Sequence, residues 1–264
     1  MKSNHKFSLV ELLIVVAIIS ILAALLLPAL NKARERAQST TCIGNIKQIA
    51  MTQLSYANDY EDWLTFHTVI GEYQYSYAGV AMEFKYVPSK EMIIDGKPGL
   101  YSDLFVCPNQ KTKSPADTGG QLKFRVYGMA NWYEDHDYRV ACPKKKEALG
   151  NFVLYQKPGS WSEIFYKMGR MKQPSGIVMN ADSGHMNTEA EYGRPFYAFY
   201  PHKVTDFKKG LLLAHSKRAN VSFMDGHVAN QSATTLAQGV SNIRQFVTIE
   251  GLPYPTTQFP QRYK

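Results

Sequence analysis

The chain has 264 residues, with 30 Lys and Arg against 22 Asp and Glu for a formal net charge of +8. Apolar residues at 45% and charged residues at 20% exclude a mostly disordered chain, and a mean hydropathy of −0.29 excludes a protein made of many membrane spans. The 3 cysteines are too few for a disulfide scaffold and too irregularly spaced for a zinc ribbon.

The first element is the most distinctive. From Leu12 to Leu27 every residue is apolar except Ser20, and the flanks extend the run to roughly the twenty residues that cross a bilayer as a helix. A buried core helix would carry a polar stripe, which this run lacks. A secretory signal peptide would have a shorter apolar core and a small-x-small cleavage site, where this chain has Pro28-Ala29-Leu30-Asn31-Lys32-Ala33. A retained span over residues 7–30 is the reading that meets neither objection. Glu11 stands inside its start. A carboxylate in a membrane helix costs about 2.5–3.5 kcal/mol at mid-bilayer, so its presence points to a use.

Beyond the span, Ile43, Ile46, Ile49, Ala50, Leu54 and Ala57 recur at three- and four-residue steps, which predicts that an amphipathic helix continues over residues 31–60. Residues 61–264 change texture. Turn signals such as Asp95-Gly96, Gly119-Gly120, Pro158-Gly159 and Pro174-Ser175-Gly176 separate short strand-like runs at Phe124–Tyr127, Phe152–Tyr155, Ile177–Asn180, Leu211–Ala214 and Val221–Met224. The expected class is α+β: one long N-terminal helix, half anchor and half amphipathic, packed on an antiparallel sheet in a single globular domain.

A C-terminal pattern is also specific: Leu211-Leu212-Leu213-Ala214-His215, nine intervening residues, then Asp225-Gly226-His227. It reads as a hairpin over residues 215–226, with a turn through Ser216–Asn220 and a tight turn at Asp225-Gly226 where glycine supplies a positive φ. The expected role is structural. No metal or cofactor is expected, and the residues that could ligate a metal were one present are Asp182, His185, His215, Asp225 and His227. With no accompanying nucleophile or phosphate-binding glycine loop, no catalytic residues and no enzyme activity are expected.

The stretch Lys6-Phe7-Ser8-Leu9-Val10-Glu11-Leu12-Leu13, with the apolar run to Pro28, resembles the leader of type IV pilins and type II secretion pseudopilins. The His215-x9-Asp225-Gly226 motif resembles one that accompanies such a leader in a group of pseudopilin-like proteins. The resemblance implies a pilin-like fold and a leader over residues 1–6. A prepilin peptidase would cut between Lys6 and Phe7 and methylate Phe7. Lys6 stands where the family has glycine. Glu11 becomes the assembly carboxylate that meets a neighbouring subunit's N-terminal amine, and Pro28 the proline that kinks the helix. The implied partners are that peptidase, other pilin or pseudopilin subunits and an inner-membrane assembly platform. The implied location is the inner membrane, single-pass, with the N-terminus cytoplasmic and the C-terminal domain periplasmic. Lys2 and Lys6 before the span and Lys32, Arg34 and Arg36 after it do not settle orientation by charge, so that part rests on the resemblance. The alternative reading is a membrane-anchored extracytoplasmic domain that binds glycan or nucleic acid through its aromatics and lysines and does not polymerise. A further rival is a membrane-tethered hydrolase built on His215 and Asp225.

In an extracytoplasmic domain disulfides are permitted. A Cys107–Cys142 bridge would close a loop of about 35 residues and stabilise by about 3–4 kcal/mol in the chain-entropy model, with Cys42–Cys107 as the other pairing. The basic groups Lys144-Lys145-Lys146, Lys167/Arg170/Lys172, Lys208-Lys209 and Lys217-Arg218 are scattered and read as solvated surface, so nucleic acid is not an expected partner.

Overall fold

A computed structural model describes residues 9–71, 73–94, 97–109, 127–133, 135, 138–139, 142–156, 163–185, 196–202 and 209–248. Lys6 and Phe7 lie outside the described residues, as does all of the expected Phe124–Tyr127 strand except Tyr127.

In chain order, α1 (Leu9–Asp59) leads into β1 (Trp63–Ile70), β2 (Tyr73–Ser76) and α2 (Tyr77–Glu83). The ribbon β3 (Lys90–Ile94) and β4 (Lys97–Tyr101) is followed by β5 (Gly128–Ala130) and α3 (Pro143–Leu149). Next come β6 (Val153–Gln156), β7 (Glu163–Lys167), β8 (Val178–Ala181), β9 (Ser183–His185) and β10 (Ala198–Phe199). The chain continues through β11 (Lys209–Leu213), β12 (Arg218–Phe223), β13 (Val228–Ser232), α4 (Ala233–Gln238) and β14 (Phe246–Thr248).

The strands form an antiparallel sheet in the order β2-β1-β7-β6 and a second sheet in the order β10-β5-β8-β12-β13, antiparallel except for β10 beside β5. A small third sheet runs β14-β11-β9, with β14 parallel to β11. The protein is α+β, a long N-terminal helix packed against largely antiparallel sheets.

The 51-residue α1 has two environments. From Leu9 to Arg34 every residue is exposed, including Leu9 at 85% and Leu25 at 71%. Between Leu12 and Leu30 this half is apolar on all sides but for Ser20, and it touches none of the chain's own core. The helix runs on through Pro28, whose missing N–H leaves the Ala24 carbonyl without its helical donor. In the second half Cys42, Ile46, Ile49, Ala50, Gln53 and Ala57 are buried. Their three- and four-residue spacing is one face of a helix. The expected face is there but slightly rotated: Ile43 and Leu54 are half-buried, while Cys42 and Gln53 join the interior.

The core beyond α1 is aromatic. Trp132, Tyr127, Tyr166, Phe66, Phe152 and Phe199 are fully buried, and Tyr77 and Tyr200 nearly so. Their polar tips are satisfied: the Tyr166 hydroxyl donates to the Ala130 carbonyl at 2.7 Å and accepts from the Trp132 N–H at 3.1 Å.

One basic group departs from the expected solvated surface. Lys145, on α3, has no exposure at all and pairs with the equally buried Asp135 at 2.8 Å, with its ammonium 5.4 Å from the Trp132 ring centroid. Lys144 and Lys146 on either side remain exposed, so only the middle lysine of the run faces inward, where its charge is neutralised.

Candidate functional site

The His215-x9-Asp225-Gly226 motif is built as a cradle for α1. β12 occupies most of the interval and runs alongside the helix in the same direction. At its start, the Ser216 N–H and hydroxyl donate to Glu35 at 2.8 and 2.7 Å. Along its length, the Asn220 side-chain amide donates to the Ser39 carbonyl and hydroxyl, both at 3.2 Å. At its end, Lys47 donates to the Gly226 carbonyl at 2.8 Å. Gly226 has φ +85, and a Cβ there would lie 2.6 Å from Leu54 Cδ1. The glycine therefore serves twice, allowing the turn and making room for the helix.

The expected single hairpin is corrected in two respects. The reversal after β11 is a two-residue turn, in which His215 and Arg218 exchange backbone hydrogen bonds of 3.0 and 2.9 Å. Ser216 and Lys217 take positive φ, 50 and 61, so the strand begins earlier than the expected Ser216–Asn220 loop allows. In addition, β11 and β12 belong to different sheets, and the second hairpin, through Asp225-Gly226, joins β12 to β13.

This divergence separates the motif's two polar residues. Asp225 stays at the surface, accepting from the His227 N–H at 3.1 Å and from the His227 ring at 2.6 Å. His215 turns inward. Its Nε2 lies 3.2 Å from Asp182 Oδ2 and 3.6 Å from Cys107 Sγ, while Cys42 Sγ lies 3.4 Å from the same Asp182 oxygen. All four side chains are buried, and one ligating atom from each lies within 4.8 Å of the others. Among the five sequence-level metal candidates, the structure thus brings Asp182 and His215 together and keeps Asp225 and His227 apart from them. His185 ends β9, paired by backbone with Lys209.

At the sequence level the thiols are candidates for disulfide pairing, with Cys42 left over on the helix. Cys107 is a free thiol in the structure, so no bridge to Cys142 is formed. The reason is positional: Cys107 follows a short 3-10 turn at Asp103–Phe105 that packs on α1, where the Asn45 side chain donates to the Val106 carbonyl at 3.3 Å. That contact delivers the Cys107 thiol to Cys42 and His215.

The quartet is electrostatically asymmetric. Burial would lower the His215 pKa, but hydrogen bonds and negative charge from Asp182 and Cys42 push it up to about 10. Burial pushes the Cys42 thiol up, and hydrogen bonds with Cys107 and His215 more than offset it, holding the thiol below its ordinary value. Cys107 is driven upward, first by its hydrogen bond to Cys42 and then by burial. A thiol inclined to ionise beside a protonated imidazole would be nucleophilic if it were accessible. Here it is buried.

Comparison with known proteins finds a partial match. The type IV wide pilus major component PilA4 of Thermus thermophilus is 44% identical over 59 residues, which is 22% of this chain and 45% of that protein. This chain is similar in part to a type IV pilin. The match spans less than half the length of that relative. No protein-family description and no solved structure matches the chain. The long apolar N-terminal helix fits a pilin, a class of structural rather than catalytic proteins that associate with other pilin subunits and a processing peptidase.

Proposed function

We propose that the protein is a structural subunit of a type IV pilus-like or type II secretion pseudopilus filament. It starts as a single-pass inner-membrane protein whose C-terminal domain faces the periplasm. The observation that carries this reading is the division of α1. One continuous helix is clamped to the domain by its second half, while its first half projects with every residue exposed and apolar on all sides. Such an arm needs a lipid or protein environment. The partial identity to a pilus component supports helices of neighbouring subunits as the final one.

In this reading a prepilin peptidase cuts between Lys6 and Phe7, and an inner-membrane platform draws the helix from the bilayer into a bundle. Glu11, in the first turn of α1, pairs with the freed amine of an adjacent subunit. In a medium that excludes water that attraction is far stronger than at a protein surface, and leaving either charge alone is strongly unfavourable.

The test is fractionation of cells carrying the wild type or Glu11→Ala. Wild type should occur in membranes and in sheared extracellular filaments. The variant, whose span is more apolar, should insert normally and be lost from filaments. Wild type confined to membranes when the filament is otherwise assembled, or Glu11→Ala present in filaments at the wild-type level, would overturn the reading. A membrane-confined wild type would instead favour a static anchored domain.

A further inference from the structure

We propose that Cys42, Cys107, Asp182 and His215 form a closed, four-coordinate Zn2+ site that pins α1 to the globular domain. The sequence alone predicts no metal, and the inference comes from where the fold places the two thiols. It does not depend on whether the apolar arm polymerises.

The geometry is the first argument. A tetrahedron with Zn–S near 2.3 Å and Zn–N or Zn–O near 2.0–2.1 Å has edges of about 3.8 Å between sulfurs, 3.5 Å from sulfur to nitrogen or oxygen, and 3.3 Å between nitrogen and oxygen. The edges in the structure are 3.4 Å from Cys42 Sγ to Asp182 Oδ2, 3.6 Å from Cys107 Sγ to His215 Nε2, and 3.2 Å from His215 Nε2 to Asp182 Oδ2. These three edges match the spacing a tetrahedral ion requires, and all four donors lie within 4.8 Å of one another.

The donor set is the second. Two sulfurs, one imidazole nitrogen and one carboxylate oxygen suit a borderline-soft ion without geometric demands of its own, whereas Mg2+ and Ca2+ take six or more oxygens. Hydrogen bonding explains the cluster less well. Thiols are weak donors and weak acceptors, and His215 Nδ1 is buried without a partner among the described residues. The imidazole's polar contacts are therefore made through Nε2, into the quartet. Zn2+ would displace the thiol protons and any proton on Nε2, leaving thiolates, a carboxylate and a neutral imidazole around the ion.

The third argument is the origin of the ligands. Cys42 comes from α1, Cys107 from the segment after the 3-10 turn, Asp182 from between β8 and β9, and His215 from the end of β11. One ion would cross-link four segments distant in sequence, at the point where the helix meets the domain. All four positions are filled by protein and all are buried, so no position is open for water or substrate and the site is structural.

The experiment uses the full chain, purified in detergent without chelator and analysed for metal by plasma mass spectrometry. The expected result is about one Zn2+ per chain. Cys107→Ser and His215→Gln should each fall below about a tenth of that, while Cys142→Ser should stay at the wild-type level. Chelation should lower the wild-type melting temperature by several degrees and added Zn2+ should restore it, with neither treatment moving Cys107→Ser. Co2+ should give thiolate charge-transfer and tetrahedral d–d bands in the wild type. If a ligand variant does not fold, the wild-type chelation, restoration and Co2+ measurements decide alone. Folded, reduced wild type that takes up neither Zn2+ nor Co2+ would overturn the proposal. So would isolation of the chain with a Cys42–Cys107 disulfide, seen as added hydrogen mass on reduction.

Discussion

Replacing Gly226 with alanine tests whether the Asp225-Gly226 turn holds α1 in place. The residue has φ +85, a left-handed conformation that costs a side-chain-bearing residue about 1–2 kcal/mol. The added Cβ would also stand 2.6 Å from Leu54 Cδ1. That atom is the tip of a flexible, half-buried side chain, so relief is available and the overpacking cost belongs near the lower end of its range, about 1 kcal/mol. Together these give about 2–3 kcal/mol, a large share of the 5–15 kcal/mol typical of a folded domain. At about 2–4 °C per kcal/mol for a domain of this size, the melting temperature should fall by about 4–12 °C. The assay is thermal unfolding followed by circular dichroism on the full chain in detergent. A melting temperature within about 1 °C of wild type would refute the reasoning, because both the strained φ and the helix contact would then be without consequence.

Lys145→Ala should destabilise by about 3–5 kcal/mol in urea unfolding, since it leaves the buried Asp135 carboxylate uncompensated, while Lys144→Ala or Lys146→Ala should stay within about 0.5 kcal/mol of wild type. Equal effects at the three lysines would contradict the interior placement of Lys145. The intact mass of chain recovered from membranes should correspond to a start at methylated Phe7; a start at Met1, or beyond Pro28, would rule out processing of the pilin kind.

The parts of the fold that were legible in the sequence are those fixed by local periodicity. Residues 12–27 have no polar stripe, and they form a helix that is exposed along its whole length. Ile46, Ile49, Ala50 and Ala57 repeat at helical spacing and are buried as expected. Strands around Ile177–Asn180, Leu211–Ala214 and Val221–Met224 appear close to their expected places. What escaped depends on partners distant in the chain. Lys145 looks like its exposed neighbours until Asp135 is brought against it. Ser216 and Lys217 make a tight turn without a glycine or asparagine to announce it, and the reading of a longer loop followed from that missing signal. Asp182 and His215 were visible as candidate ligands. Their grouping with Cys42 and Cys107 was not, because four segments that share no local pattern meet only in the folded chain.

The two halves of α1 pose a mechanical problem that the motif answers. Whatever surrounds the apolar arm, force on it reaches the domain through the half of α1 that begins at Glu35. Hydrophobic contacts along Ile46, Ile49, Ala50 and Ala57 resist separation but, being non-directional, do little to stop a helix sliding along its own axis. The directional contacts are distributed along that axis: Glu35 on the Ser216 turn, Ser39 on Asn220, Cys42 in the buried quartet and Lys47 on Gly226. Sliding the helix by one residue moves it about 1.5 Å and rotates its contact face, which breaks all of these at once. The fixed interval between His215 and Asp225-Gly226 is thus the length of strand needed to reach from one end of the seam to the other. His215 anchors the interior end and Gly226 admits the helix at the far end. The motif acts as a register lock between the exposed arm and the domain, and its chemistry need not be catalytic for every part of it to contribute.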